Sequence, residues 1–194
     1  MTIFKALTLF LLLSNPIYAD DVLTRITSHL SKAPVTQGSF QQEKHLKFLR
    51  KPLLSTGSFT YDQNKGVIWK TITPIPSLLL VNDEHLLTAQ GEQALPPAFG
   101  RVFKTLLGGE LNTLSEGFEI VGREQKTTWQ LQLTPKDELL KKVIKSIMLS
   151  GDFELRQLEI NELNNNLTLI KFSEITHPDR LSNEQQAEFE RLSP

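Results

Sequence analysis

Residues that could carry out catalysis are few and lie far apart in the sequence. The four histidines show neither the HExxH spacing of a zinc protease nor a neighbouring carboxylate cluster: His29, His45, His85 and His177. Asp83 and Glu84 follow Asn82 and are better explained as a turn than as an acid–base pair. The sequence contains no nucleophile elbow, Walker loop or dinucleotide fingerprint, and no cysteine for thiol or iron–sulfur chemistry. We therefore expect no catalytic or metal site, no cofactor and no enzymatic activity.

The charge balance excludes one broad class of function. The chain has 194 residues, with Lys+Arg 21 against Asp+Glu 22, and its net charge is −1. A nucleic-acid-binding protein needs an excess of basic residues to displace counterions, so nucleic acid is not an expected partner. The one local basic cluster is Lys44, Lys47, Arg50 and Lys51. It could contact anionic lipid or a partner protein, although most such runs are solvated hairpins.

The N-terminal segment has the features of a secretory signal peptide. Lys5 precedes an apolar run over residues 6–13, which is too short to span a bilayer. Pro16 then breaks the helix, and the small residue Ala19 precedes two aspartates. A buried N-terminal helix is the less favoured alternative. We expect cleavage near Ala19, so residues 1–19 are the signal peptide and residues 20–194 form a single soluble, exported domain, periplasmic in a Gram-negative source.

The remaining sequence predicts a mainly β protein of the α+β class. Apolar residues at helical spacing predict a helix over residues 22–30, and a second helix over residues 97–107 is flanked by Pro97 and by Gly108. About ten short strands alternate with turn residues. They are predicted at residues 38–44, 53–61, 67–72, 77–81, 85–89, 117–122, 127–133, 143–150, 153–160 and 167–172. Residues 135–142 are predicted to form one or two helical turns, and Ser182 with Gln185 fits a capping box.

Regular short strands with few helices predict one curved antiparallel sheet or barrel, with the helices lying on it. The apolar faces of the helices must then pack on the sheet. If the sheet curls around them, the space between sheet and helices is a candidate ligand cavity.

Four consecutive segments resemble the outer-membrane lipoprotein carrier family, LolA. They are the phenylalanine strand at residues 38–44, the glycine strand at 51–61, the tryptophan strand at 66–69 and the proline-led strand at 73–81. The similarity extends over nearly the whole chain after the N-terminal segment, and it is greatest to a divergent LolA-related branch. The resemblance implies an incomplete antiparallel β-barrel whose helices form a lid over a hydrophobic cavity.

On this basis the cavity is expected to be lined by apolar side chains from both the strands and the helices. The strand residues are Phe40, Phe59, Trp69, Leu78, Leu80, Trp129, Leu131 and Leu133, and the helix residues are Leu23, Ile26, Phe99, Val102, Phe103 and Leu106. For each of them, ordinary core packing is the alternative. The family also has an arginine before the tryptophan strand that latches the lid. Gln63 falls near that position, and Arg101 or Lys65 could substitute for it.

Two functions remain open at this stage. The resemblance implies a monomeric periplasmic carrier that shields acyl chains of lipoproteins or other lipidated molecules. Such a carrier moves its cargo from an inner-membrane ABC transporter to an outer-membrane acceptor. The alternative is a periplasmic accessory or binding module of an export pathway for an envelope lipid, polyene or glycolipid. In that case the cavity would be small, and the protein would act through its outer surface.

Overall fold

The structure is a computed structural model that describes residues 19–30, 32–82, 85–88, 91–94 and 104–191. The predicted signal peptide lies outside the described residues except at its last position. Most of the predicted helix over residues 97–107 also lies outside them, and its end at 104–107 is described.

Four α-helices and a 3₁₀ helix are described. Helix α1 spans Ala19–His29, α2 is described over residues 104–108, and a 3₁₀ helix follows at Leu111–Glu116. Helix α3 spans Glu138–Lys141, as the sequence predicts for one turn between two strands, and α4 spans Asn183–Glu190. The capping box predicted for α4 is confirmed, because Ser182 and Gln185 exchange side-chain-to-backbone hydrogen bonds.

Eleven strands make up the described sheet. They are β1 (Val35–His45), β2 (Leu53–Asp62), β3 (Gly66–Thr73), β4 (Ser77–Val81), β5 (His85–Thr88), β6 (Gly91–Ala94), β7 (Phe118–Gln125), β8 (Thr128–Pro135), β9 (Ile144–Gly151), β10 (Leu155–Glu162) and β11 (Leu167–Thr176). Ten of them correspond to predicted strands. Strand β6 was not predicted, because its sequence Gly-Glu-Gln-Ala contains no β-branched or aromatic residue.

The sheet is antiparallel and open. Its strand order is β6-β5-β4-β3-β2-β1-β11-β10-β9-β8-β7, so the first and last strands of the chain, β1 and β11, pair at its centre. Strands β6 and β7 form the two edges and do not close on each other. The predicted mainly β fold with a curved, incomplete barrel is thereby confirmed.

The two faces of the sheet carry two separate apolar clusters. The larger cluster lies between the sheet and the segment formed by α1, α2 and the 3₁₀ helix, and Ile26, Phe40, Leu131 and Leu149 are almost completely buried in it. The smaller cluster packs Ile68 and Leu80 against Phe189 of α4. The sheet is therefore covered on both faces in its β3–β4 region.

Strand β4 corrects the predicted cavity lining at two positions. Side chains directly opposite each other in an antiparallel pair share a face, and Trp69 pairs with Leu79 while Ile68 pairs with Leu80 and Lys70 with Leu78. Leu78 and Leu80 therefore lie in the smaller cluster, and not in the cavity. The run Leu78-Leu79-Leu80 is apolar on both faces, so its alternation could not be read from the sequence.

Candidate functional site

The larger cluster encloses a nearly closed apolar pocket between the helices and the sheet. Nine of its twelve lining residues are aliphatic or aromatic, and the other three are Thr36, Gly109 and Glu154. The apolar nine are Leu30, Phe59, Leu106, Leu107, Leu111, Trp129, Leu155, Phe172 and Ile175. The free volume is only about 20 Å³, which is room for about one water molecule. The side chains of the helices themselves therefore fill the space that a ligand would occupy.

The helical cover over this pocket is residues 104–116, which we call the lid segment. Leu106 and Leu107 from α2 and Leu111 and Leu114 from the 3₁₀ helix are all buried. Gly108 lies so close to Tyr61 that a Cβ there would come within 2.5 Å of the tyrosine hydroxyl oxygen. The missing side chain at Gly108 thus lets the lid segment approach the sheet.

Side-chain hydrogen bonds tie the lid segment to α1 and to the connection between β8 and α3. The Thr27 hydroxyl of α1 donates to Asn112 Oδ1 at 3.2 Å. At the other end of the lid segment, Lys136 Nζ donates to the Ser115 carbonyl oxygen at 2.8 Å. By contrast, each neighbouring pair of central strands is joined by a long backbone ladder.

Helix α1 is fixed beside the lid segment by its own contacts. Arg25 Nε donates to Glu124 Oε2 of β7 at 3.1 Å, and His29 Nδ1 lies 3.3 Å from Glu124 Oε1. Gly122 on the same strand leaves space for Val22, since a Cβ there would come within 2.7 Å of Val22 Cγ1. Helix α1 thereby caps the β7 edge of the sheet.

An aromatic cluster forms the floor of the large cluster. The rings of Phe40 and Trp69 stack with centroids 3.9 Å apart. Phe172 meets both Phe59 and Trp69 edge-on, with centroids 5.4 Å and 6.2 Å away. Such pairs add stabilisation beyond the burial of their area, so this floor is expected to be a rigid part of the site.

One end of the pocket is polar. His177 Nε2 lies 2.7 Å from Glu154 Oε1, and its Nδ1 lies 3.2 Å from the Thr36 hydroxyl. Glu154 and Thr36 both line the pocket. This hydrogen-bonded trio joins β1, the β9–β10 turn and the segment after β11, and it gives an amphiphile a polar group beside the apolar walls.

The β9–β10 turn that positions Glu154 is itself well ordered by hydrogen bonds. Trp129 Nε1 donates to the Asp152 carbonyl oxygen at 2.6 Å. Burial of the Asp152 carboxyl would raise its pKa, but hydrogen bonds from Arg156 and from the Glu154 amide outweigh burial and hold the pKa below its usual value. Asp152 therefore remains ionised at neutral pH and anchors Arg156.

The structure brings together some of the predicted site residues. Phe59, Leu106 and Trp129 line the pocket, whereas Phe40, Trp69, Leu131, Leu133, Leu23 and Ile26 are buried in the surrounding cluster. Phe99, Arg101, Val102 and Phe103 lie outside the described residues. Gln63 is exposed in the β2–β3 turn and borders a surface pocket shared with Lys104, Thr105 and Glu110 of the lid region. It therefore lies beside the lid segment, and its role as a latch stays a prediction.

Several lining residues were missed from the sequence. Leu107 and Leu111 fall within or just after the predicted helix, and Phe172 and Ile175 lie in β11. For Phe172, the alternation of Leu167–Phe172 is blurred because apolar residues occupy both faces. Glu154 and Thr36 carry no pattern of their own, since their positions depend on turns and on contacts between distant strands.

Most of the chain matches the model of one known protein family. Residues 31–186 match the model of the family described as outer membrane lipoprotein carrier protein LolA. The chain belongs to the LolA family. This match covers all eleven strands, the lid segment and the first half of α4.

Solved structures are similar to this LolA family chain in fold and far from it in sequence. A LolA superfamily protein from Nitrosomonas europaea has 10% identity and a TM-score of 0.46, over 86% of this chain and 96% of its own. A DUF1329 family protein from Desulfovibrio piger has 10% identity and a TM-score of 0.50, over 90% of this chain and 97% of its own. No curated protein is detectably similar in sequence.

Two further observations concern the described residues alone. Among them, no helix is long and apolar enough to cross a membrane. The described part of the chain also holds no group of three His, Asp or Glu side chains that could bind a metal ion. Carrier-type binding by apolar walls is consistent with the family, which is one of carriers.

Proposed function

We propose that this protein is a periplasmic carrier that shields the acyl chains of lipoproteins or other lipidated molecules. In this proposal it receives its cargo from an inner-membrane ABC transporter and delivers it to an outer-membrane acceptor. Membership of the LolA family supports a carrier role at the family level. The observation that carries the proposal is the pocket itself, nine of whose twelve lining residues are apolar, beneath the helical lid segment.

The physical case rests on the transfer of methylene groups. Transfer of each methylene from water to an apolar site lowers the free energy by about 0.8 kcal/mol. An acyl chain therefore leaves a membrane only for an equally apolar site. In the closed form, Leu106, Leu107 and Leu111 occupy that site. Cargo binding then replaces the packing of these leucines with the packing of the acyl chain, and the lid segment moves outward.

A second candidate function is an accessory module of an envelope lipid, polyene or glycolipid export pathway. The free volume of about 20 Å³ favours it, because a module that acts through its outer surface needs no cavity for a ligand. The two candidates differ in whether the pocket opens for an acyl chain.

The first experiment is native mass spectrometry of protein purified without detergent from a periplasm, with extraction of anything bound. It is followed by titration with a fluorescent fatty-acyl probe. A bound acylated molecule or saturable probe binding is expected for a carrier. An empty protein that binds no probe would refute the carrier and leave the accessory module.

A matched pair of variants tests whether the lid segment moves. Leu106 lines the pocket and Leu80 lies in the smaller cluster on the other face, and both are buried leucines. Truncation of either to alanine costs about 2–5 kcal/mol of stability. Because Leu106→Ala weakens the closed form specifically, we expect it to tighten probe binding by about ten-fold. Leu80→Ala should leave the affinity unchanged, and equal effects of the two variants would contradict lid opening.

A further inference from the structure

Large apolar side chains are exposed mainly at one end of the sheet. Of the eleven exposed large hydrophobic residues in the described structure, nine lie at the end that carries the β1–β2, β3–β4, β8–β9 and β10–β11 connections. They are Phe48, Leu49, Leu53, Leu54, Ile72, Ile75, Leu139, Val143 and Leu163. The other two are Val121, in the middle of β7, and Phe153, at the opposite end. This distribution differs from the scattered single exposures that are ordinary on a protein surface.

The same end is strongly basic. We define the basic rim as residues 44–54, 72–77, 136–145 and 162–166. It contains eight Lys or Arg residues and three acidic residues, a formal charge of +5, in a chain whose net charge is −1. Lys47, Arg50 and Lys51 take part in none of the ion pairs between described residues. Their charges are therefore available to an external anionic partner.

Direct contacts make the basic rim one continuous surface. The Lys47 amide donates to Asn166 Oδ1 at 3.0 Å, joining the β1–β2 and β10–β11 connections. The Leu163 amide donates to the Val143 carbonyl oxygen at 2.9 Å, joining the β10–β11 and β8–β9 connections. The hydroxyl oxygens of Thr56 and Thr73 lie 2.7 Å apart beside the β3–β4 turn. Four separate connections thus present apolar side chains to the same side, and all the basic residues lie in or directly beside the β1–β2 and β8–β9 connections.

We propose that the basic rim docks the protein on an anionic lipid membrane. Phe48, which is 79% exposed, and its apolar neighbours would enter the interface between headgroups and acyl chains. Lysine side chains can extend along apolar surface while their ammonium groups reach lipid phosphates. This inference does not depend on the cargo, because it concerns a surface at the strand ends and not the pocket.

The composition of the basic rim favours a membrane over a protein partner. Seven of its eight basic residues are lysines, and Arg50 is the only arginine. Protein–protein interfaces are depleted in lysine and enriched in arginine, whereas anionic lipid attracts both through charge alone. Six of the nine exposed apolar residues also lie in the connections between strands, which suits shallow insertion into a fluid interface.

The experiment is co-sedimentation with vesicles of phosphatidylcholine, either pure or with about one-third phosphatidylglycerol. All variants keep the same N-terminus, so any contribution of the N-terminal segment cancels. We expect binding only to the anionic vesicles, and its loss as salt rises from about 0.05 M to about 0.5 M. Each basic residue near the surface should contribute about five-fold in partitioning, so Lys47→Gln/Arg50→Gln/Lys51→Gln should weaken binding by about 100-fold.

A matched triple variant controls for net charge. Lys32→Gln/Lys126→Gln/Arg180→Gln removes the same charge from exposed positions at the opposite end of the sheet. We expect it to bind anionic vesicles nearly as the parent chain does. Equal weakening by both triple variants would overturn the basic rim as the docking surface. Binding to no vesicle would overturn membrane docking altogether and leave a protein partner for this surface.

A second measurement locates the inserted side chains. The chain has no cysteine, so a polarity-sensitive fluorophore can be attached uniquely to Phe48→Cys or to Phe153→Cys. Both phenylalanines are exposed, and they lie at opposite ends of the sheet. Anionic vesicles should shift the emission of the label at position 48 to the blue and leave that at position 153 unchanged. Equal shifts at both positions, or a shift at position 153 alone, would refute insertion of the basic rim.

Discussion

Gly57 is the residue on which the aromatic floor depends most directly. It pairs with Phe40 across β1 and β2, and a Cβ there would overlap the Lys70 carbonyl oxygen and come within 2.7 Å of the Phe40 ring. Phe40 cannot retreat freely because its ring stacks on Trp69. The glycine is therefore needed for space, independently of its backbone freedom.

We expect Gly57→Ala to lower the free energy of unfolding by about 1–3 kcal/mol, the usual cost of overpacking a core. The measurement is the midpoint urea concentration of unfolding, compared between variants whose unfolding free energy depends equally on urea concentration. Gly117→Ala is the control, because a Cβ at Gly117 meets nothing within 4 Å. A midpoint for Gly57→Ala equal to that of the control would show that β2 and β3 separate easily at this point.

At the level of single residues, the sequence shows which side chains are apolar more clearly than it shows on which face of the sheet they lie. Phe59, Leu106 and Trp129 line the apolar pocket, and each stands in a segment whose alternation or helical spacing is clear. That they hold a ligand stays a prediction. Leu78 and Leu80 were assigned to the wrong face. A strand covered on both sides has no polar residues to mark its outer face, so only the register with β3 settles which leucine points inward.

Helix α4 is the element whose attachment is most clearly specified by side chains. Phe189 is buried against Ile68 and Leu80, and Lys70 Nζ lies 3.0 Å from Glu188 Oε1. The hydrogen bond from Lys70 to Glu188 raises the pKa of Lys70, against the opposing effect of its burial. Gln185 closes the capping box and also donates from Nε2 to Gln37 and Thr60 on the sheet.

We expect Gln185→Ala to destabilise the docking of α4 more than Ser182→Ala does. Loss of the Ser182 cap costs about 1 kcal/mol. Loss of Gln185 also removes hydrogen bonds to Gln37 and to the buried Thr60, at about 1–3 kcal/mol. Hydrogen exchange of the α4 amides measures the difference, with exposed Gln186→Ala as the control on the same helix. If Ser182→Ala proves the more damaging, α4 is held by its cap and not by the sheet.

Among the elements, those with a local sequence pattern were predicted, whereas β6 and the 3₁₀ helix, which have none, were not. The capping box predicted the start of α4, and the one or two helical turns predicted over residues 135–142 contain α3, whose N-cap is Asp137. Strand β6 has no such signature and forms only by pairing with β5. The 3₁₀ helix at Leu111–Glu116 was also missed, because two buried leucines three residues apart do not define a helix by themselves.

At the scale of the whole molecule, the strand order leaves the lid segment outside the backbone ladders that hold the sheet together. The chain's two halves meet where β1 pairs with β11, so the centre of the sheet is closed by contacts between distant residues. The family resemblance predicted an open barrel with a lid, and periodicity alone predicted only a curved sheet or barrel. Neither could give the free volume, which depends on how Leu106, Leu107 and Leu111 pack together.

The closed pocket leads to a final prediction about motion on ligand binding. In the carrier proposal an acyl chain must displace part of the pocket wall, because about 20 Å³ cannot hold it, and the lid segment supplies three leucines of that wall. Hydrogen exchange with a fatty-acyl ligand should therefore show lower protection in residues 104–116 and unchanged or higher protection in β1, β2 and β11. Helix α4, on the other face, serves as the internal reference. If protection falls in the central strands instead, the sheet itself opens, and the aromatic floor is not the fixed wall of the cavity.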